Sequence, residues 1–171
     1  MRSPIRLGIC ALVFWAACQH GPSLPSAVKV DELWSALDLP AAGSRPYRVA
    51  ELRGKVALVT FLATWCFPCL GQLPLMQQLQ TKYGGKGFEV VAVGMDLEGT
   101  RVLDPLQRQY QTLFPVLMAG ESLRQGQTIF GRITNLPTTF LFGREGSVLA
   151  VYAGPPVAEE LDRLISRAVS E

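Results

Sequence analysis

The feature that most constrains the fold is a largely apolar run, Val56–Leu62, followed after three residues by two closely spaced cysteines, Cys66 and Cys69. A run of this length and composition predicts a buried central strand. From Pro68 onward, apolar residues recur every three or four positions until a glycine pair ends the pattern, which predicts an amphipathic helix. The sequence therefore predicts a strand that passes directly into a helix, with both cysteines at the junction.

The rest of the chain alternates between short apolar runs and amphipathic segments. Strands are predicted at 88–95, 138–142 and 147–152, a short extended piece at 114–118, and helices around 103–110 and 161–168. The last two strands, joined by a Gly-Arg-Glu-Gly turn, form a hairpin. Such alternation predicts an α/β fold in which helices flank a central mixed sheet. With 49% apolar and 18% charged residues in 171, the composition suits one globular domain.

Charge and ligand counts exclude several classes of function. The 16 basic and 14 acidic residues give a net charge of +2, far from the basic excess of a nucleic-acid surface, so no nucleic-acid partner is expected. Four cysteines are too few for a disulfide scaffold. Together with a single histidine, His20, they are also too few for an ordinary zinc site, so no metal site is predicted.

The N-terminal segment predicts export. Arg2 and Arg6 precede an apolar run of eleven residues, Leu7–Ala17, which is too short to span a bilayer as a free helix. Residues 1–17 therefore have the pattern of an export signal peptide. The run ends in Ala16-Ala17-Cys18, which resembles the lipobox of bacterial lipoproteins and implies that Cys18 is lipidated, although Trp15 stands where that pattern has an aliphatic residue.

Two outcomes of export stay open. Lipidation at Cys18 would anchor the protein at the periplasmic face of a bacterial membrane, and Gln19 after that cysteine favours the outer membrane. Cleavage elsewhere, for example at Ser26-Ala27, would leave a soluble periplasmic protein. We divide the chain into the signal (1–17), a lipid anchor and tether with an N-terminal extension (18–46), and a folded domain (47–171).

Removal of the signal and lipidation of Cys18 would leave only Cys66 and Cys69 as thiols. At the start of a helix the first cysteine faces unsatisfied N–H groups and the positive end of the helix dipole, which favour a nucleophilic thiolate. Pro68 suits the first helical turn because its missing N–H is not needed there. These features indicate redox chemistry.

Three other interpretations of the cysteine pair are weaker. A structural disulfide that closes so small a loop restricts the unfolded chain little. A metal clip lacks further ligands. A c-type haem would need a histidine after the second cysteine, and Leu70 stands there.

The segment 56–69, Pro74 and the later run Phe130–Phe142 resemble the thioredoxin superfamily. The resemblance is closer to its exported, membrane-tethered thiol:disulfide oxidoreductases of the TlpA and ResA type, which have a redoxin-like domain, and it covers residues 47–169. It implies a thioredoxin-like fold with an insertion, residues 98–130, before the strand that follows a cis-proline. It also implies that Pro137 is this cis-proline.

The same resemblance assigns roles to the site residues. Cys66 and Cys69 would be the catalytic pair. Pro137 would pack beside the disulfide, and Leu136 would offer main-chain groups to a substrate peptide. Trp65, Phe67 and Pro68 complete the expected substrate-binding residues.

Two positions depart from the family. Thr60 stands where thioredoxin has a buried acid, and Phe67 stands where ResA-type proteins have a glutamate. Strong oxidants of the superfamily carry a histidine between their cysteines, and this pair has none, which favours a reductase over an oxidase or isomerase. A non-enzymatic metal-binding or structural lipoprotein of the same fold stays a further alternative. We expect a monomer that needs no bound cofactor. It would receive electrons from a membrane thiol carrier and reduce disulfides of exported proteins, such as clients of cytochrome c maturation.

Overall fold

A computed structural model describes residues 30–43 and 45–171, and over this range the chain forms one mixed sheet with helices on both faces. The strands are β1 (Val56–Leu62), β2 (Phe88–Gly94), β3 (Val116–Met118), β4 (Thr138–Phe142) and β5 (Val148–Ala153). The α-helices are α1 (Val30–Ala36), α2 (Phe67–Tyr83), α3 (Thr100–Tyr110), α4 (Glu121–Arg124) and α5 (Ala158–Ser170). Short 3-10 helices occupy Val49–Leu52 and Gly84–Lys86.

The strands follow the order β3-β2-β1-β4-β5. β1 pairs in parallel with β2, and β2 pairs in parallel with β3, whereas β4 runs antiparallel to both β1 and β5. Every residue of β1 is buried, as expected for the central strand of a sheet covered on both faces. The predicted α/β fold with a mixed central sheet is confirmed.

Alternate side chains of β1 divide the core into two layers. Val56, Leu58 and Leu62 point towards α2, α3 and α5, and we call this the α2-side layer. Ala57, Val59 and Phe61 point towards α1 and α4, and we call this the α1-side layer. Because side chains alternate along a strand, each layer draws its residues from every second position.

The predicted insertion, residues 98–130, carries α3, β3 and α4. β3 extends the sheet beyond β2, with Val116 opposite Ala92. α3 packs so tightly on β2 that a Cβ added to Gly94 would lie 2.5 Å from the methyl carbons of Leu103. A side chain at position 94 would therefore force Leu103 to shift.

Residues 30–42, placed by the sequence in the N-terminal extension, pack into the same core as the rest of the domain. Leu33, Trp34 and Leu37 are buried in the α1-side layer. The chain then passes along the outer edge of β3, where Ala41 pairs antiparallel with Leu117. The folded unit therefore includes residues upstream of position 47, and β5 forms the opposite edge of the sheet.

The predicted signal peptide, the lipidation site Cys18 and the tether up to residue 29 lie outside the described residues. Among the residues described, no helix is both long enough and apolar enough to cross a membrane.

Candidate active site

Cys66 and Cys69 lie at the junction of β1 and α2. Cys66 is the N-cap residue of α2, and its Sγ accepts a hydrogen bond from the backbone N–H of Cys69 at 3.3 Å. Pro68 lies in the first turn, where its missing N–H leaves no helical hydrogen bond unmade. The sequence thus places both sulfurs at the start of a helix of 17 residues.

The two cysteines form a disulfide, with their Cα atoms 5.2 Å apart. Cys66 is 6% exposed and Cys69 is fully buried. An incoming thiolate can therefore reach the disulfide at Cys66 and not at Cys69. The first turn of α2 carries no acidic residue, so no side-chain charge there opposes a thiolate on Cys66, which the helix dipole favours.

Asp96 fixes the loop that precedes the cysteines. Its carboxylate accepts hydrogen bonds from the Thr64 backbone N–H, at 3.1 Å to each oxygen, and from the Thr64 hydroxyl at 2.6 Å. Asp96, two residues after β2, was not among the predicted site residues. A βαβ unit places the carboxyl ends of β1 and β2 at the same end of the sheet. An acid just after β2 could therefore have been expected to lie near the cysteine loop that follows β1.

Pro137 follows a cis peptide bond from Leu136, as the family resemblance implied. It is buried directly before β4, and the register pairs Thr138 with Phe61, one residue from the end of β1. The Pro137 carbonyl accepts a hydrogen bond from the backbone N–H of Gly154 at 2.7 Å. This register brings Pro137 to the end of the sheet where β1 passes into the cysteine loop.

A surface groove of about 430 Å³ runs beside the disulfide loop. It is lined by Trp65, Met95, Ile133, Thr134, Asn135 and Leu136. The structure therefore brings together two of the predicted substrate-binding residues, Trp65 and Leu136. Phe67 and Pro68 lie outside the groove lining, exposed on the first turn of α2.

Exposed apolar side chains flank Cys66 in the sequence. Trp65 is 70% exposed and Phe67 is 85% exposed. Leu97 is also exposed, and it directly follows Asp96, whose carboxylate binds the backbone N–H of Thr64, two residues before Cys66. Large exposed apolar side chains next to a reactive residue are candidates for an interaction surface. Leu97 was not predicted, since only its position in the turn after β2 places it near the cysteine loop.

A small polar cluster lies in the α2-side layer. The Gln72 Nε2 donates to the Thr60 Oγ1 at 2.8 Å, and the Thr60 and Thr139 hydroxyls are 3.0 Å apart. All three side chains are buried, and Gln72 Oε1 has no hydrogen-bond partner among the described residues. An unpaired buried acceptor costs about 1–3 kcal/mol. Thr60 was singled out from the sequence, and Gln72 was missed. A glutamine next to Leu73, on the face of α2 that the apolar pattern predicts to be buried, could have indicated a buried polar contact.

Comparison with known proteins agrees with this architecture, since residues 19–165 match the redoxin family. The chain belongs to the redoxin family. Over 119 residues this redoxin is 33% identical to "Thiol-disulfide oxidoreductase ResA" of Bacillus thuringiensis (strain Al Hakam), a match that covers 68% of this chain and 65% of the relative. The chain therefore spans less than two thirds of that relative.

A second relative and one solved structure extend the comparison. "Thiol-disulfide oxidoreductase ResA" of Geobacillus kaustophilus is 27% identical over 164 residues, which are 95% of this redoxin and 91% of the relative. The crystal structure of "thiol:disulfide interchange protein, thioredoxin family protein" from Chlorobium tepidum is 30% identical with a TM-score of 0.64, covering 77% of this chain and 97% of that one. The redoxin thus has the predicted thioredoxin-like fold.

Proposed function

We propose that this redoxin is an extracytoplasmic thiol:disulfide oxidoreductase that reduces disulfides of exported proteins through a dithiol–disulfide cycle of Cys66 and Cys69. The observation that carries the proposal is the difference between the two sulfurs. Cys66 is slightly exposed at a helix N-terminus, and Cys69 is buried behind it. The names of the ResA relatives and of the Chlorobium structure support the same activity.

The proposed cycle begins with the reduced pair. The Cys66 thiolate attacks one sulfur of a client disulfide, and the other client sulfur leaves as a thiolate and takes up a proton. Cys69 then loses its proton and attacks Cys66 Sγ, which breaks the mixed disulfide and releases the second client thiol. The client gains two electrons and two protons, and Cys66 and Cys69 become a disulfide.

Regeneration uses the same entry point. A thiol of an external dithiol attacks Cys66 Sγ, because Cys69 is buried, and its partner thiol completes the transfer of two electrons. We propose a membrane thiol carrier as this donor. No step of the cycle uses a bound cofactor.

The proposed client-binding surface consists of the groove and the exposed apolar residues around Cys66. An extended client segment would pair with the main-chain groups of Leu136, because Pro137 has no N–H and leaves the backbone edge there open to a partner strand. Trp65, Phe67 and Pro68 would contact apolar client side chains. Clients of this kind include exported proteins with a cysteine pair, such as those handled during cytochrome c maturation.

We propose that residues 1–17 are removed on export and that Cys18 is lipidated, which holds a monomeric domain at the periplasmic face of the outer membrane. Labelling with a fatty-acid precursor in a bacterial host tests this. Label on the wild type and none on Cys18→Ser supports the anchor. A soluble, unlabelled periplasmic protein would replace it with cleavage elsewhere.

The activity and its direction are tested by titrating the full chain in detergent against a dithiothreitol redox buffer, with the double variant Cys66→Ser/Cys69→Ser as the blank for the other thiols. A midpoint potential of about −250 mV or lower supports the reductase. A value near about −120 mV would make the protein an oxidant, and the absence of a reversible transition would remove the enzymatic function.

A further inference from the structure

The buried side of the cysteine pair contains a polar cluster in an otherwise apolar layer. Cys69 packs in the α2-side layer with residues such as Leu73 and Met76. Within this layer, the Gln72 carboxamide donates to Thr60, which in turn contacts Thr139. A cluster of this kind is costly to bury unless its hydrogen bonds are made, so its one unpaired atom needs an explanation.

That atom is Gln72 Oε1, on a side chain that is 4% exposed. Gln72 lies three residues after Cys69 on α2, and both face the sheet. Side chains three apart on a helix are neighbours, with Cβ atoms about 5–6 Å from each other. Helical side chains also lean towards the N-terminus of their helix, so Gln72 leans towards the turn that carries Cys69.

The structure shows the disulfide form, in which Cys69 Sγ carries no hydrogen and cannot donate. Reduction of the pair adds two electrons, and Cys69 takes up a proton and becomes a thiol that can donate. A buried donor would then appear one helical turn from a buried acceptor that lacks a partner. The two unsatisfied groups complement each other.

We propose that Gln72 is a positioning residue for the resolving cysteine. In the reduced protein the Cys69 S–H donates a hydrogen bond to Gln72 Oε1, while Thr60 and Thr139 hold the carboxamide in orientation. The bond exists only in the reduced form and therefore shifts the redox equilibrium towards the dithiol. When Cys69 attacks Cys66 Sγ, this proton is given up and the departing client sulfur takes one up. The inference rests on the proposed dithiol–disulfide cycle.

The alternative is a purely structural cluster that ties α2 to β1 and β4. That alternative predicts an equal loss of stability in the oxidised and reduced proteins when Gln72 is replaced. The positioning role predicts a larger loss in the reduced protein, because only that form contains the additional bond.

The test compares Gln72→Met in the full chain with Gln78→Met, which makes the same chemical change on the exposed face of α2. Each protein is equilibrated with a dithiothreitol redox buffer. Gln72→Met is expected to shift the equilibrium about three- to tenfold towards the disulfide, the effect of one hydrogen bond. This corresponds to a midpoint potential about 15–30 mV more negative. Gln78→Met is expected to match the wild type.

A spectroscopic readout distinguishes the two roles directly. In the reduced-minus-oxidised infrared spectrum, the S–H stretching band of Cys69 is expected at higher frequency in Gln72→Met, because the thiol no longer donates. If Gln72→Met does not fold, Thr60→Val is the second variant, because it removes the hydrogen bond that orients the Gln72 carboxamide. It is expected to shift the redox equilibrium and the S–H band in the same direction as Gln72→Met, by a smaller amount. Thr60→Ser, which keeps the hydroxyl, is expected to restore the wild-type values.

The positioning role is overturned if folded Gln72→Met has the same redox equilibrium constant and the same S–H band as the wild type. The same result in Thr60→Val, used where Gln72→Met does not fold, would also overturn it. Either outcome would leave the proposed oxidoreductase activity intact. A wild-type protein that shows no reversible exchange would instead overturn the proposed function, and this inference with it.

Discussion

The two layers on either side of the sheet are both largely apolar and differ in what accompanies the apolar side chains. The α1-side layer is built around stacked and edge-to-face rings, with the Phe61 and Phe130 centroids 4.9 Å apart and Phe130 and Phe140 centroids 5.3 Å apart. The α2-side layer contains Cys69 and the hydrogen-bonded cluster of Thr60, Gln72 and Thr139. One strand, β1, thus contributes apolar packing to both layers and, through Thr60, a polar contact to the α2-side layer alone.

We therefore expect stability and redox chemistry to be separable in the molecule. Rings without polar partners add to the free energy of unfolding in both redox forms alike. Polar groups buried beside Cys69 can distinguish the disulfide from the dithiol. Substitutions in the two layers should therefore differ in which quantity they change.

The largest expected effect on stability comes from Phe61→Ala. The ring is fully buried among other rings, so its removal is expected to lower the free energy of unfolding by about 3–5 kcal/mol, measured by urea denaturation of the oxidised and the reduced protein. Phe61→Leu, which keeps more volume, is the milder control. A shift in the Cys66–Cys69 redox equilibrium comparable to that of Gln72→Met would contradict the separation of the layers.

Asp96→Ala is expected to have a smaller effect on stability and a measurable effect on exchange. Loss of the hydrogen bonds to Thr64 should cost about 2 kcal/mol, because bonds to a charged group are among the stronger ones. The loosened loop should also slow attack at Cys66 by up to about 10²-fold, through misplacement of the sulfur. Stopped-flow exchange with a model disulfide measures the rate. Asp96→Asn keeps one acceptor oxygen, so its stability and exchange rate should fall between those of the wild type and Asp96→Ala. Wild-type stability and exchange rate in Asp96→Ala would refute the role of Asp96 in fixing the cysteine loop.

The smallest expected effect concerns the surface link between α2 and α5. The Lys82 ammonium, 2.7 Å from Asp162 Oδ1, and the Tyr83 hydroxyl lower the pKa of the Asp162 carboxyl below its ordinary 3.8. The stabilisation is therefore present above pH 3.8 and is lost as the pH falls through the folded value. Asp162→Asn should therefore have a slightly lower free energy of unfolding than the wild type at neutral pH, and the difference should be smaller at high salt. In acid, where the wild-type carboxyl is protonated, the two proteins should be equally stable. An equal loss in acid, measured by urea denaturation across pH, would point to packing instead.

The sequence was sufficient for the fold because its signals are local. The buried run of β1, the cysteine pair at a helix start and the proline before β4 each depend on neighbouring residues, and together they predicted the α/β architecture. Within the extended piece predicted at 114–118, only Val116–Met118 forms a strand, since Pro115 cannot donate to a ladder.

The features that the sequence did not reveal depend on contacts between distant residues. The hydrogen bond of Gln72 to Thr60 joins a polar cluster only because the strand register pairs Thr60 with Thr139. Asp96 and Thr64 are 32 positions apart and meet only after β1 and β2 align. Leu33 and Trp34 lie in a helix of seven residues and Leu37 directly follows it, so the segment is too short for periodicity to show which face it buries.

The pairing of Ala41 with Leu117 also limits how copies of the domain could join. Among the described residues, it covers the β3 side of the sheet, and only β5 retains an unpaired edge. Two domains joined through β5 would leave no further edge for a third. Edge-to-edge pairing would thus end at a dimer and could not propagate into a fibre, even though Val148, Leu149 and Val151 make β5 apolar at its surface.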